Sequence, residues 1–560
     1  MTRARQSRRS VPRVRPPSRG SGARTGAARL DPVELALARG LFAACAEEMG
    51  ISLMRSAHSP NITERLDHSC AVFDGEARLV AQAAHIPVHL GSMPRAVEVA
   101  RSRGPFVPGD CVLLNDPFEG GTHLPDLTLV SPVFLPGRPT PDFFVASRAH
   151  HADVGGAAPG SLPLAREIYE EGFRMPPVFL VRGGRLQSDI ERLLLANVRT
   201  ADERRADLAA QLAAQFTGGQ RLEALARRDG PAALVAAARG VMDQSEREMR
   251  HALRALPRGT WRNEDALDDD GLGHGPIPIR VTLTIGRERV RFDFTGSSPQ
   301  VPGPLNAVEA VTRAGCAYAL RLVLGGEIAI NDGALRPVEV IAPYGSVVNP
   351  RPPAAVSAGN VETSQRIVDT VLGAFARALP KVVPACSSGT MNNLLIGGTD
   401  PRSGRAFAYY ETLGGGHGAA FGGNGESAMQ VHMTNTRNTP VESLEHAYPL
   451  RVVSTRIRRG SGGAGRWRGG DGIERAIELR APARVTVISD RRVRGPRGAQ
   501  GGADGAPGEN RVRRGGTRAR EQRMPGKFTI DLESGAVITV RSPGGGGFGR
   551  RKKNSVTKQR

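Results

Sequence analysis

Four polar clusters, each beside an apolar run, hold the side chains able to do chemistry. The segment GGTHLPDLTLVSP (120–132) sets His123 and Asp126 three residues apart, just before residues that alternate apolar and polar as a strand does. SRAHHADVGG (147–156) adds His150, His151 and Asp153 at the end of another such run. SPNITERLDHSCAVFD (59–74) supplies Glu64, Arg65, Asp67 and His68, and ETLGGGHGAAFGGNGESAMQVHMTNTRNTPVE (411–442) holds Glu411, His417 and His432 among glycines and asparagines. Two imidazoles with one or two carboxylates match a Mn, Fe or Zn site with room left for water or substrate. A further carboxylate would orient a ligand histidine. Adjacent histidines on a strand face opposite ways, so only one of His150 and His151 reaches a common point.

Each cluster also has a plainer reading. A lone H-x-x-D suits a turn that caps backbone groups, and Asp67 suits a cap or a pair with Arg65. The glycines of 411–425 suit a structural turn as well as a phosphate cradle. His58, His85, His89, His251 and His446 read as ordinary structural or surface histidines.

The elements that would position these residues are legible in outline. DPVEL opens a helix with Asp31 as N-cap, Pro32 at the first position and Glu34 closing a capping box; Leu35, Ala38, Leu41, Cys45 and Met49 follow at helical spacing. Residues 69–74 and 78–81 read as a hairpin around Gly75. Strands are expected at 110–115, 127–134 and 143–156, the last running into a loop. The stretch 188–256 reads as helix, broken near Gly218–Gly219 and Gly230–Pro231. The acidic, glycine-rich 260–276 reads as a boundary. Beyond it, alternation at Ile279–Ile285 and Val290–Phe294 around Gly286 makes a hairpin. Helices are expected at 306–324 and 361–379, and final strands at 526–532 and 535–541. SPGGGGFG (542–549) reads as a flexible or tightly turned terminus. The fold class is therefore α+β, multi-domain and strand-rich with helical insertions. It divides into an N-terminal domain over 31–262 carrying the metal motifs, a C-terminal domain over 276–549 with glycine-rich loops, and basic tails at 1–30 and 550–560.

Composition bounds the function. The net charge of +21 sits mostly at the ends: nine arginines lie in 1–30 and seven basic residues in 541–560, with no acid in either. That leaves a body at about +5, so nucleic-acid binding is not its expected role, and the tails have no apolar period with which to fold. No run of apolar residues is long enough to cross a membrane and no signal-peptide core opens the chain, which points to the cytoplasm. The five cysteines are scattered without a C-x-x-C pair, as in a reducing compartment. No G-x-x-x-x-G-K-[ST] occurs, so ATP is not bound by a P-loop.

The segments ERLDHSCAVFD, HIPVHLGSMP, NDPFEGGTHLPDLTLVSPVF, RAHHADVGGAAPGS, DFTGSSPQVPGPLNA, RPPAAVSAGNVETSQRIVD, ETLGGGHGAAFGGNGESAMQVHMTNTRNTPVESLE and SPGGGGFG, in that order, resemble the hydantoinase B/oxoprolinase family over residues 31–549. The resemblance implies one half of an ATP-dependent machine. A hydantoinase A-type partner binds ATP and phosphorylates a hydantoin, 5-oxoproline or similar lactam, and this half completes the hydrolysis with a divalent Mn, Fe or Zn ion. In the related acetone carboxylase subunit the ligands come from an H-x-x-D and a histidine on the next strand, which fall here on His123, Asp126 and His150, with Asp67 as a fourth. His151 and Asp153 become candidates for proton transfer or support, and Glu64, Arg65, Glu411 and His417 for substrate binding. A component of a ketone carboxylase, a non-catalytic scaffold and a polyanion binder are the alternatives.

Overall fold

The computed structural model of the chain describes residues 30–551, apart from 84–85, 90, 326–327 and 516–518. The basic ends and His85 thus lie outside the described residues. Helix α1 (Pro32–Ser56) starts as its sequence demands: Asp31 accepts from the N–H groups of Val33 and Glu34, and the Glu34 carboxylate accepts from the Asp31 N–H at 2.9 Å.

The first sheet contains β1 (His68–Asp74), β2 (Leu79–Gln82), β3 (Cys111–Leu114), β4 (Asp126–Val133), β5 (Phe143–His150), β6 (Val178–Arg182) and β7 (Arg185–Leu186). Their order is β2-β1-β5-β4-β3-β6-β7, and every neighbouring pair is antiparallel. Alternate residues face opposite layers. Val72 and Val145 point toward α1, while Phe73, Val130 and Phe144 pack with α2 (Met93–Arg101).

The stretch 188–256 forms three helices: α3 (Ser188–Leu195), α4 (Ala201–Asp229) and α5 (Pro231–Arg254). The break at Gly230 is present, but the one expected at Gly218–Gly219 is not. Gly218 sits where α4 crosses α1 and β5: a Cβ there would stand 2.5 Å from Met49 Sδ and 3.0 Å from Val145 Cγ1. The glycine serves close approach between layers rather than a bend.

The second sheet, ordered β11-β10-β9-β8, contains β8 (Gly259–Leu267), β9 (Ile277–Ile285), β10 (Val290–Asp293) and β11 (Val338–Ile341). Much of the expected boundary at 260–276 is therefore strand. Helices α6 (Glu309–Leu324) and α7 (Ser364–Ala378) complete this part. One apolar core joins Leu113, Leu127 and Leu129 of the first sheet to Ile279, Phe292, Val311 and Phe375. The third sheet pairs Ala406–Glu411, Asn393–Thr399, Ala483–Ile488 and Lys527–Leu532 in that order; the fourth pairs Leu450–Arg458, Gly472–Leu479, Val537–Arg541, Glu509–Arg513 and Glu521–Met524. The last two expected strands are found, but in different sheets. The α+β class holds, and no helix among the described residues is long and apolar enough to cross a membrane.

SPGGGGFG is neither loose nor a turn: Ser542–Phe548 is buried. Gly544 and Gly547 donate to Ala506 and Ala503, Gly545 and Phe548 donate to Gly470 and Trp467, and Gly546 donates to Cys386. Two pairs of residues three apart, 544 with 547 and 545 with 548, thus bond to the same neighbouring segment, as in the threefold repeat of an extended polyproline-type helix, whereas Gly549 donates to Ala499. A Cβ on Gly545 would fall on the His417 carbonyl oxygen, and one on Gly470 on that of Glu426. Glycine is required because backbone packs directly on backbone. Of the 411–425 glycines, Gly416, Gly418 and Gly425 pack backbone on backbone in the same way, with the amides of Gly416 and Ala419 spent on Pro543 and Gly546, while a Cβ on Gly422 or Gly423 would meet open space.

Candidate metal centre

Strand register builds the site. Asp126 opens β4, His150 closes β5, and the antiparallel pairing sets them directly opposite one another. His123 comes from the turn before β4, where Gly121 lies so close to the Asn115 carbonyl that no Cβ fits. One ligand atom from each of His123, Asp126 and His150 lies within 4.8 Å of the others, and all three side chains are buried.

Their surroundings fix how each is aimed. His123 Nδ1 donates to the Ser357 carbonyl at 3.2 Å, since a carbonyl can only accept. Its Nε2 then faces Asp126 Oδ1 at 3.0 Å without making a hydrogen bond. His150 Nδ1 donates to the same oxygen at 3.2 Å, and its Nε2 is buried without a partner. Asp126 Oδ2 accepts from Thr122 Oγ1 at 2.7 Å and Asn360 Nδ2 at 3.4 Å, and His89 Nε2 stands 3.4 Å away. Two imidazole nitrogens, His123 Nε2 and His150 Nδ1, converge on one oxygen of a buried carboxylate, and each ring keeps a buried nitrogen without a hydrogen bond, an arrangement that a cation would satisfy. The donor set suits Mn, Fe or Zn better than Mg or Ca.

The electrostatics agree. Burial opposes the charge of Asp126, but His123, with hydrogen bonds from His150 and His89, holds its carboxyl well below the usual range. Burial lowers His123, yet Asp126 beside it overcomes this and raises the imidazole above its ordinary value. His150, where burial prevails, is lowered. Its ring stacks on Tyr410 with centroids 4.7 Å apart, and the Arg65 guanidinium lies 4.7 Å from the same ring.

A cavity of about 20 Å³ beside the three residues is lined also by Asp67, His89, Asn360, Met391, Tyr410 and Thr434. That is space for about one water. Ile86 lines both it and a larger cavity of about 590 Å³, lined also by Ser69, Tyr318, Arg39, Glu47, Arg321 and Asn435 among others. Ser69 Oγ, on the wall of the larger cavity, lies 2.7 Å from His89 Nδ1.

Asp67 is on the wall of the small cavity, outside the tight group and 4.0 Å from Arg65. His151 and Asp153 are not brought to the site. His151, on the opposite face, bonds Gln211 of α4 at 3.0 Å, and burial, with Arg204 nearby, holds it down to about 4. Asp153 accepts from the amides of Gly155 and Gly160 and pairs with Arg199. Arg65 is buried, donating to the Tyr410 carbonyl at 2.6 Å, so it supports the wall rather than facing a substrate. Glu411 is buried against Arg475, His417 bonds the Gln430 carbonyl, and Glu64 stands half-buried outside the cavity lining. Sequence reasoning missed Asn360 and Tyr410, and took His89 for an ordinary histidine. For His89 the available signal was its place in HIPVHLGSMP, a second histidine four residues after the first.

Known proteins share this architecture. The chain is 39% identical over 551 residues to 5-oxoprolinase 1 of Arabidopsis thaliana, covering 93% of this chain but only 42% of that protein. It thus spans about two fifths of that relative. It is 30% identical over 541 residues to a putative B-type subunit of a D-/L-hydantoinase from a Pseudomonas species, covering 93% and 90% of the two. The crystal structure of the ATP-dependent caprolactamase from Pseudomonas jessenii superposes with a TM-score of 0.86 at 29% identity, over 93% of this chain and 91% of that one. The hydantoinase B/oxoprolinase family model matches residues 31–551, and the chain belongs to that family.

Proposed function

We propose that this chain is the subunit of an ATP-dependent cyclic-amide hydrolase that completes ring opening after a hydantoinase A-type partner has activated a lactam or hydantoin with ATP. The observation that carries the reading is the buried His123–Asp126–His150 group on the wall of a one-water pocket, which shares Ile86 with a cavity large enough for a small cyclic amide. The absence of a P-loop motif fits activation on another chain. So does the match to a protein named as one subunit of a hydantoinase, and to only part of a longer 5-oxoprolinase.

His123, Asp126 and His150 would hold a divalent Mn, Fe or Zn ion, which would lower the pKa of water and polarise a carbonyl. The chain's other residues do the rest. Thr122 and Asn360 hold the Asp126 carboxylate in place, and Tyr410 keeps the His150 ring flat against the wall. His89 takes over the proton-handling place assigned from sequence to His151: because a carboxylate can only accept, His89 carries a proton on Nε2 toward Asp126, with Ser69 at Nδ1. The body of the substrate would rest in the larger cavity.

Co-expression with a hydantoinase A-type chain, followed by assay against a panel of lactams and hydantoins, tests this. ATP-dependent ring opening is expected, abolished by His150→Ala while the complex persists. Robust hydrolysis by the single chain without ATP would overturn it.

A further inference from the structure

Glu171 ends the short helical turn Ile168–Glu171 and is fully buried, with no ion-pair partner among the described residues. An isolated buried carboxyl is costly, and burial pushes this one up to about 8. Its bonds show where it acts. Oε1 accepts from the N–H groups of Val356 and Ser357, both at 2.8 Å, and so clamps the peptide between them. The Ser357 carbonyl accepts from His123 Nδ1, and three residues on, Asn360 Nδ2 donates to Asp126 Oδ2. The segment 356–360, which runs into the π-helical turn Gly359–Thr363, therefore aims two of the three candidate ligands. The Pro304 carbonyl holds the segment from the other side, accepting from the amide of Ala358, which shares its peptide with the Ser357 carbonyl, and from that of Gly359, while Glu171 holds the N–H groups that precede that carbonyl.

We propose that Glu171 is a positioning residue that sets the metal affinity of the site by fixing the Ser357 carbonyl, and with it the direction of His123 Nε2, without itself being a ligand. The proposal rests on the metal reading above.

The test uses the full chain and Co²⁺, read by chelator competition and by the visible absorption of the bound ion. In Glu171→Met, which fills the volume but accepts no hydrogen bond, Co²⁺ affinity is expected to fall about 10–100-fold with an altered spectrum. Glu171→Gln keeps an acceptor at Oε1 and is expected to stay within about threefold of wild type, a rescue that a loss of packing would not show. If Glu171→Met does not fold, Glu171→Asp, with its acceptor drawn back by one methylene, is read in the same way. A folded Glu171→Met (or Glu171→Asp) with wild-type affinity and spectrum overturns the positioning role alone, as does Glu171→Gln losing affinity to the same extent as Glu171→Met. A wild-type chain that takes up no Co²⁺ removes the metal reading and this role with it.

Discussion

Metal uptake at this site should expel one proton near pH 6.5, and Asp126 should be the reason. In the metal-free chain Asp126 is charged, because His123 and the hydrogen bonds around it outweigh burial, and His123 is raised above its ordinary 6.5 by the same contact. His123 is therefore protonated below that value, and an incoming cation must displace its proton. His150 is lowered by burial and sheds its proton first, so one proton remains in play. Between pH 6 and 7 the affinity should rise with a slope approaching one, about tenfold or 1.36 kcal/mol per pH unit, and level off above the His123 pKa. Asp126→Asn keeps the volume and removes the charge. Burial then governs His123, its pKa falls, and both the proton release and the slope should vanish while affinity drops. Calorimetric titration with Zn²⁺ or Mn²⁺ at pH 6.5, in two buffers of different ionisation enthalpy, counts the proton directly. Wild-type binding that releases none, with affinity flat from pH 6 to 7, would refute the reasoning.

In the metal-free chain the same contact should make stability fall as pH rises through the raised His123 pKa, because that contribution is fully present only below the imidazole's unfolded value; urea midpoints at pH 6 and 8 test it, and the loaded chain should show little change. The neighbouring glycines of α4 should respond with opposite signs. Gly218→Ala overpacks against Met49 and Val145 and should cost about 1–3 kcal/mol, whereas at Gly219 the nearest atom is 3.9 Å away and alanine should gain about 0.5–1 kcal/mol in helix propensity. Urea midpoints of the two variants decide between them. Arg475→Met strands the buried Glu411 carboxylate and should cost about 3–5 kcal/mol by urea titration, with KM in the assembled enzyme unchanged because the pair lies apart from the small cavity's lining.

The sequence was most informative where chemistry is local. His123 and Asp126 share one turn, and His150 follows at the end of the next strand, so the antiparallel pairing of β4 with β5 was enough to bring all three together. The alternation of strand faces explains why His151, one residue on, went to α4 instead. His89 and Asn360 were not legible because each meets Asp126 only through tertiary structure, one from a short helical turn before α2 and the other from the π-helical turn Gly359–Thr363 that runs into α7. Glu411 and Arg65 looked available because nothing near them in sequence reveals the partners, Arg475 and Tyr410, that consume their charge or bonding capacity. Helix starts and strand alternation were readable; the role of glycine was not, since Gly218 and Gly545 are there for the sake of neighbours distant in sequence.

The glycine bundle gives the chain a region whose order most instruments would miss. Its segments form no ladder and no α-helical turn, so circular dichroism would count them with the irregular chain, and a composition filter would mask them as low complexity. Yet Gly544 through Gly549 each donate to a carbonyl on another segment, and the run is buried as far as Phe548. Amide exchange there should be as slow as in a central strand, and a protease with a taste for glycine-rich linkers should find nothing to cut. The bonds also tie segments around 386, 418, 467 and 504 to residues 544–549. A truncation at residue 541, which would look on paper like trimming a ragged end, would instead withdraw the central thread from a knot.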